Sequence, residues 1–204
     1  MGVNSSLLRG KTPEQKTVVK YFLDSGCLAS MTRMKDSDYD EMVISKMNRL
    51  NLKQKALGKI GLDEDQLKEI PPVFLHGYNF DNAYSRIGAD DRLRSSKYDA
   101  TWLFFSDSQV YMYSYTIDMA SDGKKEKTEE YFYKDVTNFS TSSESVEVNK
   151  ASGCSNKKIT KLTREYSVFS LVVPGDKFFC STSGVADADR SVSAMKQKLR
   201  EKKQ

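Results

Sequence analysis

The chain has 204 residues, enough for one large domain or two small ones. Its 38% hydrophobic, 29% charged and 11% aromatic content is polar for a globular protein but excludes a disordered composition. The net charge of +4 comes from 32 basic and 28 acidic side chains spread along both halves, so the basic segment expected of a nucleic-acid binder is absent and no nucleic-acid partner is expected.

Helix signals fill the first third. Thr12-Pro13-Glu14-Gln15 reads as an N-cap, a proline at the first helical position and a capping-box glutamine. Val18, Val19, Phe22 and Leu23 follow at helical spacing, and Ser25-Gly26 stops the helix. Asp36-Ser37-Asp38 opens a second helix with Tyr39, Met42, Val43, Met47 and Leu50 as its apolar stripe. A third runs over 52–59 and stops at Gly61. Asp63-Glu64-Asp65 caps a fourth, which Pro71-Pro72 ends. Residues 71–98 mix Pro, Gly, Asn and Asp with Phe74, Tyr78, Phe80 and Tyr84, and read as an irregular connector that packs against something.

From Asp99 the pattern becomes strands, expected near 100–106, 109–118, 127–134, 136–141, 145–149, 163–173 and 177–182. Asp107-Ser108 and Pro174-Gly175-Asp176 are short turns, and Ser121-Asp122-Gly123-Lys124-Lys125 reads as a charged hairpin loop. In the second strand Val110, Met112, Ser114 and Thr116 point one way and Tyr111, Tyr113, Tyr115 and Ile117 the other. Apolar bulk on both faces implies a covered sheet or small barrel. A helix over 186–203 carries Val192, Met195 and Leu199 on one stripe, with a basic tail. The expected class is α+β: a helical N-terminal region over 1–97, then over 98–204 an antiparallel barrel or sandwich of about seven strands with a C-terminal helix.

That order of strands and helix resembles the pleckstrin-homology-like fold. Leu103-Phe104-Phe105-Ser106-Asp107-Ser108-Gln109-Val110 is similar to the first hairpin of bacterial domains of this kind, and Tyr133-Lys134-Asp135-Val136-Thr137-Asn138-Phe139 to a later strand; the resemblance covers about residues 98–203. Lys53-Gln54-Lys55-Ala56-Leu57-Gly58-Lys59-Ile60-Gly61-Leu62 and Glu69-Ile70-Pro71-Pro72-Val73 resemble a bacterial family without an assigned activity. So do Thr101-Trp102-Leu103-Phe104-Phe105 and Glu130-Tyr131-Phe132-Tyr133-Lys134-Asp135-Val136. The resemblance implies a fold and a cytoplasmic setting but no reaction.

Cys27, Cys154 and Cys180 are odd in number and far apart, which fits reduced thiols in a cytosol rather than a disulfide framework or a metal pair. The sequence holds no run of about 18 apolar residues and its start lacks the apolar stretch of a signal peptide. Met1-Gly2-Val3-Asn4-Ser5-Ser6 fits a short acylation pattern at Gly2, with only Arg9 and Lys11 as basic neighbours.

No phosphate loop, nucleophile elbow or dinucleotide fingerprint occurs, so no cofactor is expected. His76, the only histidine, sits in Phe74-Leu75-His76-Gly77-Tyr78. It reads either as a general base, with Asp81 or Asp91, or as a turn residue packed beside aromatics; the second reading is preferred. Cys154, near Lys157 and Lys158, lacks a positioned base, and Cys180 reads as a small core residue. The acidic clusters at 36–41 and 63–65 suit helix starts. No catalytic or metal-ligating residue is assigned.

The candidate binding residues are Lys124, Lys125 and Lys127 with Tyr166 and Phe169. The leading reading is a non-catalytic module that presents an edge or groove around 166–173 to a protein or peptide. The alternative is a binder of anionic membrane lipid or a phosphorylated ligand through the lysine-rich loops, as the pleckstrin-homology resemblance implies. A third reading is an enzyme using His76.

Overall fold

The computed structural model describes residues 3–24, 32–63, 67, 71–152 and 158–202, and side chains are described outside 149–160. The start of the proposed fourth helix, Cys27, Cys154 and Gly2 fall outside the described residues or side chains. Helix α1 spans Ser5–Leu8, with the Asn4 side chain accepting from the Ser6 N–H. Helix α2, Pro13–Leu23, begins with the capping box read from the sequence. The Gln15 N–H donates to Thr12 Oγ1 at 3.2 Å and the Thr12 N–H to Gln15 Oε1 at 3.0 Å. Helix α3, Asp36–Arg49, buries Tyr39, Val43 and Met47, one from each of three successive turns. Asp36 and Asp38 lie in its first turn, where their charges favour the helix N-terminus. Asn51 takes a left-handed conformation (φ 47°) and turns the chain into helix α4, Leu52–Ile60. Gly61, at φ 73°, ends α4 with its N–H on the Leu57 carbonyl at 2.9 Å.

The stretch over 71–98 is not irregular. It forms strands β1 (Val73–Asn79), β2 (Ser85–Ile87) and β3 (Leu93–Ser95), and β2 and β3 pair as a small hairpin. Next come β4 (Lys97–Phe105), β5 (Gln109–Asp118) and β6 (Lys124–Phe132). With β1 they form a four-stranded antiparallel sheet of order β1-β4-β5-β6. Strands β7 (Asn138–Ser152), β8 (Lys158–Val173) and β9 (Asp176–Ser181) form a three-stranded antiparallel sheet in that order. The two short strands expected at 136–141 and 145–149 are thus one continuous strand. Lys124 and Lys125 belong to β6 rather than to a loop, because the turn closes at Gly123. Helix α5, Ala188–Lys202, ends the described chain.

The two-faced alternation of β5 explains the layering. Tyr113, Tyr115 and Ile117 join Tyr98, Ala100 and Phe104 of β4 beneath α2, α3 and α4, where Val18, Val19, Tyr39 and Val43 complete one core. Val110 and Met112 point the other way with Leu75, Leu103 and Phe105. There they meet Phe139, Phe169, Leu171 and Cys180 of the second sheet and Val192, Met195 and Leu199 of α5. The four-stranded sheet is therefore covered on both sides, by helices on one and by the second sheet and α5 on the other. The sheets remain separate and do not close into a barrel. Each fully buried Leu, Val, Phe or Met in these cores contributes roughly 1.5–3 kcal/mol from burial.

Polar ties clamp the helical layer onto the strands. Arg94, 1% exposed, donates to both oxygens of Asp40 at 2.8 and 2.7 Å and to both oxygens of Asp90 at 2.7 Å. Burial opposes the Asp40 charge, but the hydrogen bonds from Arg94 and Tyr78 outweigh it and hold its pKa below the usual carboxylate value. The Tyr39 hydroxyl donates to the Ser95 carbonyl at 2.7 Å, and the Tyr21 hydroxyl to Asp36 at 2.7 Å.

Candidate binding groove

The inner face of the four-stranded sheet changes character along its strands. Leu103, Val110 and Met112 at one end give way to Asp99, Ser114 and Thr116 at the other, a consequence of simple alternation in β4 and β5. Register then places Gly77, Asp99, Thr116 and Lys125 in one row across β1, β4, β5 and β6, with Ser114 and Lys127 in the neighbouring row. At this polar end the second sheet bounds a hollow of about 430 Å³, with Tyr166 and Val168 from β8 and Lys177, Phe179 and Ser181 from β9 on its far wall.

Asp99 is 8% exposed. Thr116 Oγ1 donates to its Oδ1 at 2.7 Å and Asn79 Nδ2 to its Oδ2 at 2.8 Å. Burial raises its pKa; those two donors and the charges of Lys125 and Lys97 pull the other way. Glu144 accepts from the Tyr166 hydroxyl at 2.9 Å, and Asp81 Oδ1 accepts from Asn82 at 3.1 Å. Lys127 pairs with Glu129. Lys177 Nζ rests 4.5 Å from the centre of the Phe179 ring, which is 47% exposed. Among the described residues, neither Lys125 nor Lys177 has a carboxylate ion-pair partner.

A second hollow, of about 450 Å³, adjoins the first and shares Phe80 and Tyr166 with it. These two rings meet at 4.7 Å between centroids. Asp40, Ile44, His76, Arg92, Tyr98 and Glu165 are among its lining residues. His76 Nδ1 and the Tyr98 hydroxyl lie 2.6 Å apart, and the imidazole stacks on Phe74 at 4.9 Å. Burial lowers the His76 pKa, so the ring is neutral at neutral pH. Gly184 must lack a Cβ here, since one would strike His76 and Tyr98. Gly77 faces the same constraint, as a Cβ there would fall 2.5 Å from Ser181 Oγ and 2.6 Å from the Ser183 nitrogen. The close approach of β1 to the segment after β9 rests on both glycines.

The residues singled out in the sequence are partly united. Lys125, Lys127 and Tyr166 line the first hollow, while Lys124 lines a smaller neighbouring depression of about 250 Å³ with Lys125 and Asp118. Phe169 is a correction: it is fully buried, stacked on Phe139 at 6.0 Å, and belongs to the core. The segment 168–173 is also not an edge, since β8 there is flanked by β7 and β9. Asp91 accepts from Arg164 at 3.0 Å and Asp81 lines the first hollow, so neither carboxylate is the hydrogen-bond partner of His76. Burial raises the Cys180 pKa and keeps it a thiol inside the core. Among the described residues no group of three His, Cys, Asp or Glu side chains is placed to hold a metal ion, and no helix is long and apolar enough to cross a membrane.

Sequence reasoning passed over Phe80, Asp99, Lys177 and Phe179. The signal for Asp99 was present, as a carboxylate at an inward-facing position in line with Leu103 and Thr101. Phe80 stood out only as an aromatic that packs against something, and its partner Tyr166 is distant in sequence. Comparison of the chain with protein-family models, curated proteins and solved structures finds no match.

Proposed function

We propose that the chain is a recognition module that takes an extended segment of a protein or peptide partner in the groove formed by the two hollows. The observation that carries this reading is the Phe80–Tyr166 pair: an aromatic saddle separates two adjoining cavities. An extended chain crossing it places side chains in both, the arrangement by which alternate pockets confer specificity on peptide sites. Aromatic rings at the saddle and the exposed Phe179 supply the anchors that dominate such contacts. We also propose a pleckstrin-homology-like architecture for the β region. It is supported by a four-stranded antiparallel sheet, a three-stranded one and a C-terminal helix packed against both, with β2-β3 as an insertion after the first strand. A cytoplasmic setting accords with this reading.

A photo-crosslinking residue placed at Tyr166 or Phe179 in the full chain, incubated with lysate of the native cell, tests the proposal. The same polypeptide is expected at both positions and not at exposed Gln197 on α5. Equal capture at all three positions, or none at the groove, defeats the reading. The lipid alternative has less geometric support, because Lys124 and Lys125 are adjacent on a strand and point to opposite faces, and Lys127 is paired with Glu129. Vesicles rich in anionic phospholipid, sedimented at low salt, distinguish it: co-sedimentation lost with added salt would favour the lipid.

A further inference from the structure

We propose that the free edge of β6 is a self-pairing surface. It takes β6 of a second copy of this chain, antiparallel, and joins the two four-stranded sheets into one. The proposal does not depend on the groove reading above. β6 ends its sheet: it pairs with β5 on one side and, among the described residues, with no strand on the other. The opposite edge is closed. There the Tyr78 N–H donates to Ser183 Oγ at 3.0 Å and the Gly184 N–H to the His76 carbonyl at 3.0 Å, so the segment after β9 covers β1. The nine residues of β6 therefore leave a row of backbone N–H and C=O groups open to a further strand.

Edges guarded by lysines alone repel a second copy. β6 instead carries both signs, and they are segregated. Lys124, Lys125 and Lys127 lie in its first half and Glu129 and Glu130 in its second, while Glu126 is tied to Lys59 of α4 at 3.0 Å. In a symmetric antiparallel pair, facing residues share one side of the sheet, so the two-fold axis passes between one residue and its own copy. Centred on Lys127, the pairing sets Lys124 against Glu130 and Lys125 against Glu129, and the symmetry repeats both. Lys124 and Glu130 share the helical side, as partners of Ile117 and Tyr111; Lys125 and Glu129 share the other, as partners of Thr116 and Met112. Glu126 faces the neutral Thr128. Lys127 meets its own copy, and each is already bound to its own Glu129. The neighbouring registers are worse: centred on Glu126, Lys125 faces Lys127, and centred on Thr128, Glu126 faces Glu130. Among the described residues Lys124, Lys125 and Glu130 make no salt bridge within the protomer, so the pairing breaks none. Opposite charges facing across two strands stabilise the pair, and like charges oppose it.

Sedimentation equilibrium of the full chain over a range of concentrations is the test. The parent is expected to show a reversible monomer–dimer equilibrium. Lys124→Glu alone, or Glu130→Lys alone, sets like charges opposite each other twice and should weaken the dimer roughly tenfold or more. Both changes in one chain restore opposite charges at unchanged net charge and should recover most of the lost affinity. Both side chains are exposed, so thermal unfolding should be the same throughout and serves as the folding control. Register is read by cysteine cross-linking in a chain carrying Cys27→Ser and Cys154→Ser, Cys180 being buried. Position 127 lies about 4.5–5.5 Å from its own copy between Cα atoms, within disulfide reach, whereas position 129 lies about 13 Å from its own. Lys127→Cys should therefore cross-link on oxidation and Glu129→Cys should not. A monomer at every concentration overturns the proposal. So does a dimer indifferent to the single changes or not rescued by the double one, or a Glu129→Cys chain that cross-links as readily as Lys127→Cys.

Discussion

Replacing Arg94 by methionine keeps an apolar stem of similar reach and removes the guanidinium that joins α3 to the strands. Four hydrogen bonds of 2.7–2.8 Å to Asp40 and Asp90 disappear. The cost falls unequally on the two acids. The Asp90 side chain is 41% exposed and rehydrates, whereas that of Asp40 is 28% exposed and keeps only Tyr78 and the distant Arg92. Breaking a buried pair costs about 3–5 kcal/mol, and the partial hydration places this case at the lower end, about 3 kcal/mol. For a chain of this size that corresponds to a fall of roughly 6–12 °C in Tm. The loss should also depend on pH. Asp40 and Asp90 have pKa values lowered in the folded protein, so the stability they contribute is fully present above the unfolded value of about 3.9 and lost as pH falls through their folded values. Urea unfolding of both proteins at neutral pH and at successively lower pH provides the assay. The gap between them should be full at neutral pH and narrow below about pH 4. A gap under about 1 kcal/mol at neutral pH, or one that stays constant with pH, refutes the assignment of Arg94 as the clamp.

Asp99→Asn should gain stability relative to the parent as pH rises. A raised carboxylate pKa means the folded state favours the proton, and the parent alone bears the growing cost of ionising a buried acid; urea midpoints that move together from pH 4 to neutrality contradict this. The single imidazole of His76 can be followed by NMR, and its midpoint should lie below the ordinary 6.5; a value at or above it denies the role of burial. Phe169→Ala should cost about 3–5 kcal/mol in unfolding experiments, while Tyr166→Ala, at the half-buried saddle, should cost less and lose bound peptide. Reversal of that order would return Phe169 to the surface. Gly184→Ala should disturb the His76 resonance and lower Tm, because the added methyl meets the imidazole and the Tyr98 hydroxyl; an unchanged spectrum opposes the close packing.

What could be read from the sequence was local in its physics. The Thr12–Gln15 capping box, the Gly61 stop and the Val192–Met195–Leu199 stripe depend on residues within a turn or two of one another, and all appear in the fold. The two-faced alternation of β5 likewise announced that both sides of its sheet were covered. The strand at Val73–Asn79 was hidden because its signals point away from a strand: two prolines precede it and Gly77 interrupts it. That glycine answers a distant demand, the approach of Ser181 and Ser183. Phe169 was misplaced for a related reason. Apolar residues lie on both sides of β8, and only the packing of its sheet against Leu103, Val110 and Met112 and against α5 decides which face meets the core. The groove follows the same division. Its residue types, lysines and a tyrosine on strands, were visible one by one. Their union was not, because Lys125 comes to line one hollow with Tyr166 and Lys177 only through the register of two separate sheets and the packing of one on the other. The rim side chains of a groove assembled in this way are exposed and outside both cores, so they can be exchanged while the cores and caps stay fixed.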